Sequence, residues 1–456
     1  MFTHRKDDGL ELFRVKSPIG YQDQRRIVDL FHKSSRALDE GKKHVRSPYL
    51  HWEDLRYKPR PSGVTAEELW IAVRFLRKVQ SIPSVIYDAS GESYTWVKLP
   101  EFEQFFHEID LHTGGSISTF SRGTDIEGAE KQRFISRGVI EEAIASSQLE
   151  GANTTREAAK RMIREGKKPK TLGERMILNN YTSMKAVEET YRNKKLSLEL
   201  LIELHSMVVT DTDVDPEEIG RFRKDDENIV VTGQGDEINV IYHRPPAMRF
   251  VKKELDRLVK FANDELEEDR FVHPIIKAIM IHFWIGYLHP FTNGNGRLAR
   301  LLFYWYLLRK DYWAFAYLPI SKVIKRSPNQ YKMAYIYSEQ DGADLTYFID
   351  YHLRKIMMAI EGFKEYVNGL AMLNKKMNIA ARTEYKLNDR QIGLLQFFYK
   401  KKDEHTTTTI HQNIFAVSRM TATKDLKSLE RLGFVTSKKS GKGVYYYGAE
   451  KIGTLF

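Results

Sequence analysis

Cysteine is absent from all 456 residues. That excludes disulfides, thiolate metal sites and cysteine nucleophiles, and it fits a reducing compartment. Long hydrophobic runs are missing as well. No apolar stretch reaches the roughly 18 residues that a membrane-spanning helix needs, so no membrane partner is expected. The N-terminus, Met1 to Arg14, is charged rather than apolar, which argues against a signal peptide. No short-period repeat or low-complexity tract stands out. The expected location is cytoplasmic.

What is present has the balance of a soluble protein, with 42% hydrophobic and 29% charged residues. The length suits about two to four domains with sizeable cores. The net charge of +11 favours polyanionic partners, although a lysine-rich solvated surface accounts for most charge of this kind.

The most informative stretch is His289-Pro-Phe-Thr-Asn-Gly-Asn-Gly-Arg-Leu-Ala-Arg300. It joins two apolar runs, Ile275 to Leu288 and Leu298 to Leu308, and so reads as a loop between two buried helices. Gly294 and Gly296 are expected to take positive φ and gather backbone N–H groups into an anion-binding nest. The nest opens onto the first turn of the second helix, whose unpaired N–H groups and positive dipole end favour phosphate. Arg297 and Arg300 stand three residues apart, as two forks for different phosphate oxygens. Asn293 and Asn295 add short polar arms, and Phe291 is expected to anchor the loop in the core. His289, beside this cradle, is placed to take a proton from an attacking hydroxyl. Taken singly, each residue also fits a plain structural role; no packing demand calls for all of them in this order.

These twelve residues resemble the signature of Fic proteins, H-x-F-x-[D/E]-G-N-G-R-x-x-R, at every defined position but Asn293. The resemblance implies transfer of AMP from ATP to a Ser, Thr or Tyr hydroxyl of a target protein, the chain itself included. It makes His289 the general base, sets Gly294 to Gly296 and Arg297 on the phosphates, has Asn295 orient them, and puts Arg300 on the terminal phosphate. Asn293 stands where the family has the carboxylate that binds Mg²⁺. A neutral amide oxygen is a weaker ligand for Mg²⁺ (or Mn²⁺), so metal binding is expected to be weak and another nucleotide or phosphate donor stays open.

A second stretch runs from Ile140 to Gly151. Ile140, Ala143, Ile144 and Ser147 form one helix face, and Gly151 is suited to end that helix in the left-handed conformation. Glu150 then falls at a helix C-terminus, where a carboxylate needs a cation from elsewhere. Ser146-x-x-x-Glu150-Gly151 resembles the inhibitory motif [S/T]-x-x-x-E-[G/N] of the same family. By that resemblance Glu150 pairs with Arg300 and acts as an intramolecular brake. Release of Glu150 through rearrangement of a homo-oligomer stays open.

Between the motifs, helices are expected at 173–192 and 197–210. Gly220-Arg-Phe-Arg223, two short β runs around Gln234-Gly235-Asp236, and Arg244-Pro-Pro246 read as a hairpin. It looks like the Fic flap, whose edge strand, here Ile229, Val230, Val231 and Thr232, would dock a target segment by main-chain pairing. Towards the N-terminus, residues 1–60 show no long periodic segment. A helix is expected from Thr65, followed by a hairpin over 87–99. The tyrosines Tyr331, Tyr335 and Tyr337 are expected mainly to pack, on the adenine side of the site.

After a long helix over about 344–379, the residues from Tyr385 to Phe456 carry 13 basic and 6 acidic side chains, a net +7. Three helices and a basic hairpin there resemble a winged helix. Ser418, Arg419, Thr421, Lys424, Lys427, Lys438, Lys439 and Lys442 are its candidate DNA contacts; protein docking is the alternative use. The expected architecture is therefore mainly α: an N-terminal accessory region (1–125), a helical Fic domain with a small β-hairpin flap (126–380, inhibitory helix near 138–151), and a C-terminal winged helix-turn-helix (385–456). The competing functional reading is a DNA-binding transcriptional regulator whose Fic domain is weak or inactive.

Overall fold

Helix α7 (Pro274–Leu288) is apolar all round and buried on every side, as such a helix must be. Around it the structure, a computed structural model, describes residues 2–4, 10–18, 35–114, 129–233, 240–266, 271–400, 404–440 and 443–455. The expected turn at Gln234 to Asp236 and the candidate Lys442 lie outside the described residues.

In chain order, strands β1 (Phe2–His4) and β2 (Glu11–Leu12) precede helix α1 (Ala66–Gln80). Thr65 and Glu68 close a reciprocal capping box at the start of α1, which satisfies two otherwise unpaired N–H groups. Strands β3 (Ser81–Tyr87) and β4 (Ser93–Val97) follow. This hairpin begins at Ser81 rather than Tyr87: β3 leaves α1 directly, and pairing to β4 overrides its weak alternation.

Helix α2 (Ala129–Leu149) carries the second motif and packs against α4 (Leu172–Ala186), with α3 (Arg156–Glu165) between them in sequence. Helix α5 (Leu198–Val209) leads to strands β5 (Val230–Thr232) and β6 (Val240–His243), and α6 (Met248–Ala262) leads to α7. Helix α8 (Asn295–Arg309) pairs closely with α7, so the loop joining them is held between two buried rods. Helices α9 (Pro328–Gln340) and α10 (Thr346–Thr383) close the far side of this core.

The C-terminal residues form α11 (Asp389–Lys400), β7 (His405–Thr406), α12 (Thr408–Phe415), α13 (Arg419–Arg431), β8 (Val435–Ser440) and β9 (Gly443–Gly448). Their sheet has the order β7-β9-β8. They enclose a core of their own around Leu395, Leu426, Leu429 and Phe434. Strand β7 is too short to register in a pattern of alternation, and only its pairing to β9 reveals it. The group is not detached: α12 packs on α2 and α3, and the Asn413 side-chain amide donates to the Arg164 carbonyl at 3.2 Å.

Candidate active site

The loop between α7 and α8 is shaped by one glycine and one histidine. Gly294 takes φ 78° and caps α8, as expected. A Cβ there would strike Val209 Cγ1 at 2.5 Å. Gly296 does not take positive φ; it sits in the first turn of α8. The other left-handed residue is His289 itself, at φ 46°, where it terminates α7. The two-glycine nest is thus corrected to a turn made by His289 and Gly294. Asn295 staples the turn: its amide accepts from Phe291 N at 3.0 Å and donates to Phe291 O at 2.8 Å. Both ends of that amide hold the loop. Phe291 is buried and stacks on His205, with ring centroids 3.6 Å apart. His205 Nε2–H in turn donates to the Asn293 carbonyl at 2.8 Å. His205 lies on the apolar face of α5, where sequence offers no signal for it.

Arg223 fastens the loop from the flap side. Its Nε donates to the His289 carbonyl at 2.8 Å and its Nη2 to the Pro246 carbonyl at 2.5 Å. The Gly220–Arg223 and Pro245–Pro246 segments are therefore joined through one guanidinium. His289 Nδ1 lies 3.4 Å from the Gly286 carbonyl, which sets the proton on Nδ1 and leaves Nε2 as the basic nitrogen. Burial, with the His243 and Arg223 charges adding to it, pushes the His289 imidazolium down to about 3. The ring is neutral at pH 7. It borders a cavity of about 310 Å³ that is also lined by Glu150, Val231, His243, Gly296 and Tyr331. Tyr335 lines it too, whereas Tyr337 stacks on His51, centroids 4.1 Å apart.

Glu150 reaches this cavity from the end of α2. Gly151 follows at φ 93°, the left-handed stop expected of it. Glu150 Oε1 accepts from Arg300 Nη2 at 2.8 Å. Ser146 holds the same guanidinium: its Oγ accepts from Nε at 2.7 Å and its carbonyl from Nη2 at 2.9 Å. The Glu150 carboxylate also lies against Gly296, where any Cβ would collide with it. It therefore rests on the positive end of α8, an anion in an anion's place. Burial raises the Glu150 carboxyl, and Arg300 more than offsets this, so the net displacement is downward. Arg297 takes a different direction from Arg300, donating from Nη1 to the Val208 carbonyl at 2.7 Å. Its Nε and Nη2, and Nη1 of Arg300, are buried with no acceptor among the described residues.

Asn293 faces the test for a divalent metal. Its side-chain oxygen is one neutral donor that already accepts from Gly294 N at 2.6 Å. Among the described residues no cluster of three His, Asp or Glu side chains could hold a metal ion. This donor set does not fit a protein-held Mg²⁺ site.

Residues 195–307 match the model of the Fic/DOC family. The chain carries a Fic domain. A protein adenylyltransferase Fic of Culex quinquefasciatus is 28% identical over 209 residues, which are 45% of this chain and 38% of that protein. Another, of Nematostella vectensis, is 30% identical over 140 residues, 30% of this chain and 29% of that protein. The chain thus spans well under half the length of these curated relatives. Among solved structures, a Fic family protein of Desulfovibrio desulfuricans aligns over 81% of this chain and 98% of its own, at 19% identity and TM-score 0.47. Fic-1 of Caenorhabditis elegans aligns over 57% and 71%, at 17% identity and TM-score 0.43.

The flap of this Fic domain departs from the expected free hairpin. Ile229, Val230, Val231 and Thr232 are all buried, and β5 lies inside a four-stranded sheet of order β1-β5-β6-β2. The edge of β5 that was expected to be open is paired antiparallel with β1. An unpaired row of N–H and C=O groups is a ready template for another strand, and here the N-terminal segment supplies it. On the other side of the hairpin, His243 places Nδ1 2.7 Å from Glu339 Oε2 and Nε2 2.7 Å from the Tyr287 carbonyl. Its ring centroid is 6.4 Å from that of His289. Neither β1 nor His243 stands out in sequence.

The candidate DNA contacts lie far from the Fic motif in sequence. Arg419, Lys424, Lys427, Lys438 and Lys439 are exposed on α13 and β8. Thr421 is partly spent on the helix cap, where its N–H donates to Ser418 Oγ at 3.2 Å.

Proposed function

We propose that the chain is an autoinhibited protein adenylyltransferase, moving AMP from ATP to a Ser, Thr or Tyr hydroxyl of a protein. The observation that carries this reading is the Glu150–Arg300 pair seated on the first turn of α8. A brake of that kind has a use only where an anion would otherwise bind beside a working base. The unsatisfied donors of Arg297 and Arg300 and the free N–H groups of the α8 terminus suit phosphate oxygens.

In the reaction the acceptor hydroxyl attacks the α-phosphorus as the bond to the β-phosphate breaks and pyrophosphate leaves. His289 Nε2 takes the hydroxyl proton. The N–H groups at the start of α8 and Arg297 balance the charge on the phosphates. Glu150 opposes this by holding Arg300 and occupying the helix terminus, so its withdrawal comes first. A divalent metal arriving with the nucleotide would supply charge neutralisation, and Asn293 would add little to its hold.

The test is label transfer from α-³²P-ATP with Mg²⁺ or Mn²⁺. Label on protein should rise in Glu150→Gly and vanish when His289→Ala is added. No label in any variant with either metal rejects the reading and leaves transfer of another phosphate-linked group, or the DNA-binding alternative.

That second reading is favoured by the exposed cations of α13 and β8. Duplex DNA titrated in fluorescence anisotropy should bind with a salt slope that falls by about one per charge removed in Lys438→Glu and Lys439→Glu. Absence of binding leaves protein docking as the role of these residues.

A further inference from the structure

Helix α2 borders a second cleft, which shares no lining residue with the cavity beside His289. Its volume is about 140 Å³. Three elements wall it: α2 through Arg137 and Gly138, the segment around the short helix Ile320–Ile324 through Lys322 and Arg326, and α10 through Met358, Phe363 and Tyr366. Gly138 lets α2 come this close, since a Cβ there would lie 2.1 Å from the Tyr317 Cα. Tyr317 and Phe363 stack, centroids 4.4 Å apart, and both line the cleft.

The cleft gathers positive charge without the carboxylates that would neutralise it. Arg137 lies over the Tyr366 ring, 3.8 Å from its centroid, Lys322 is half-buried, and Arg326 is exposed. Glu141 is the one acidic residue in the lining among the described residues, and it is already held: it accepts from Arg156 Nε at 2.8 Å and pairs with Lys160. Arg137, Lys322 and Arg326 have no ion pair among the described residues. Burial pushes the Lys322 ammonium down from its ordinary value; Glu141 opposes this, and Arg156, Arg137 and Arg326 add to it. A dianion placed among three such cations relieves their repulsion and can take paired bonds from a guanidinium fork.

We infer that this cleft binds a small phosphate monoester, with its phosphate on Arg137, Lys322 and Arg326 and its apolar part on Met358 and Phe363. Charge sets the headgroup. The volume sets the rest, because a cleft well below the roughly 300–1,000 Å³ of drug-sized sites has no room for a whole nucleotide. The bound ester bridges α2, α10 and the 322–326 segment. That segment is already tied to α2: Ser321 N donates to Glu142 Oε2 at 2.8 Å, and Lys325 Nζ donates at 2.5 Å to Gln148 Oε1, two residues before Glu150. A ligand that binds across these elements favours the arrangement in which Glu150 is seated. The inference holds whichever group the Fic domain transfers.

The experiment titrates the full chain with phenyl phosphate in calorimetry. A dissociation constant of about 1 mM or tighter is expected, whereas phenol, which lacks the charge, should not bind. Lys322→Arg should retain the affinity. Arg326→Glu, a change at an exposed position, should weaken it by about tenfold, and adding Lys322→Glu should abolish it. Hydrogen exchange, read by mass spectrometry, should slow in 138–149 and 319–326 when the probe is bound. An isotherm unchanged by Arg326→Glu and by the double variant overturns the inference, because the probe then sits elsewhere. So do equal binding of phenol, binding without slower exchange in those two segments, and absence of binding up to about 10 mM.

Discussion

Glu150 Oε1 stands 2.8 Å from Arg300 Nη2 and against the Cα of Gly296, so one carboxylate holds both a guanidinium and the terminus of α8. This explains how a carboxylate tolerates the end of its own helix. The positive end of a second helix, together with Arg300, outweighs the negative end of the first.

Removing that charge takes the bonded carboxylate from the buried Arg300 guanidinium and leaves it its Ser146 contacts. Glu150→Gln should cost about 1–3 kcal/mol in denaturant unfolding, and ATP should stabilise the variant more than wild type. Because the folded carboxyl is displaced downward, its contribution is complete above the unfolded value of about 4.3 and is lost as pH falls below that. The stability gap between wild type and Glu150→Gln should therefore begin to narrow below about pH 4 and go on narrowing as the pH falls through the depressed folded value. A gap that does not narrow with acidification would mean the pair is not its source.

A base with a value of about 3 makes a distinctive pH profile. The free-enzyme profile (kcat/KM) of the Glu150→Gly chain should show no acidic limb between about pH 8 and 5, unlike an ordinary histidine titrating near 6.5. His289→Ala should lower transfer by about 10²–10⁴-fold while ATP affinity, read by calorimetry, is unchanged. An acidic limb near 6.5 would identify a different, exposed base.

Asn295 is predicted to act through the loop rather than on the nucleotide. Asn295→Ala removes two buried hydrogen bonds and should cost about 2–4 kcal/mol. A variant with native stability and lost ATP binding would instead make Asn295 a direct ligand.

Asn293→Asp adds the missing charged oxygen. It should tighten metal-dependent ATP binding in calorimetry. Unchanged metal dependence would show that the nucleotide alone sets the hold on the metal.

The parts governed by short-range physics were legible in the order of the residues. The apolar runs on either side of His289 became α7 and α8, the Thr65 capping box started α1, and Gly151 and Gly294 took their left-handed turns. A helix buried all round announces itself, because only a core accepts it. Contacts between residues distant in sequence were settled by folding alone. Gly296 is small because Glu150 approaches it, not because its own backbone needs positive φ. Asn295 and His205 became supports of the loop through partners set by packing. Strand β1 shows no periodicity of its own, since three residues are too few to show one. Its place at the edge of β5 depends on a hydrogen-bonding row that exists only once the flap has folded.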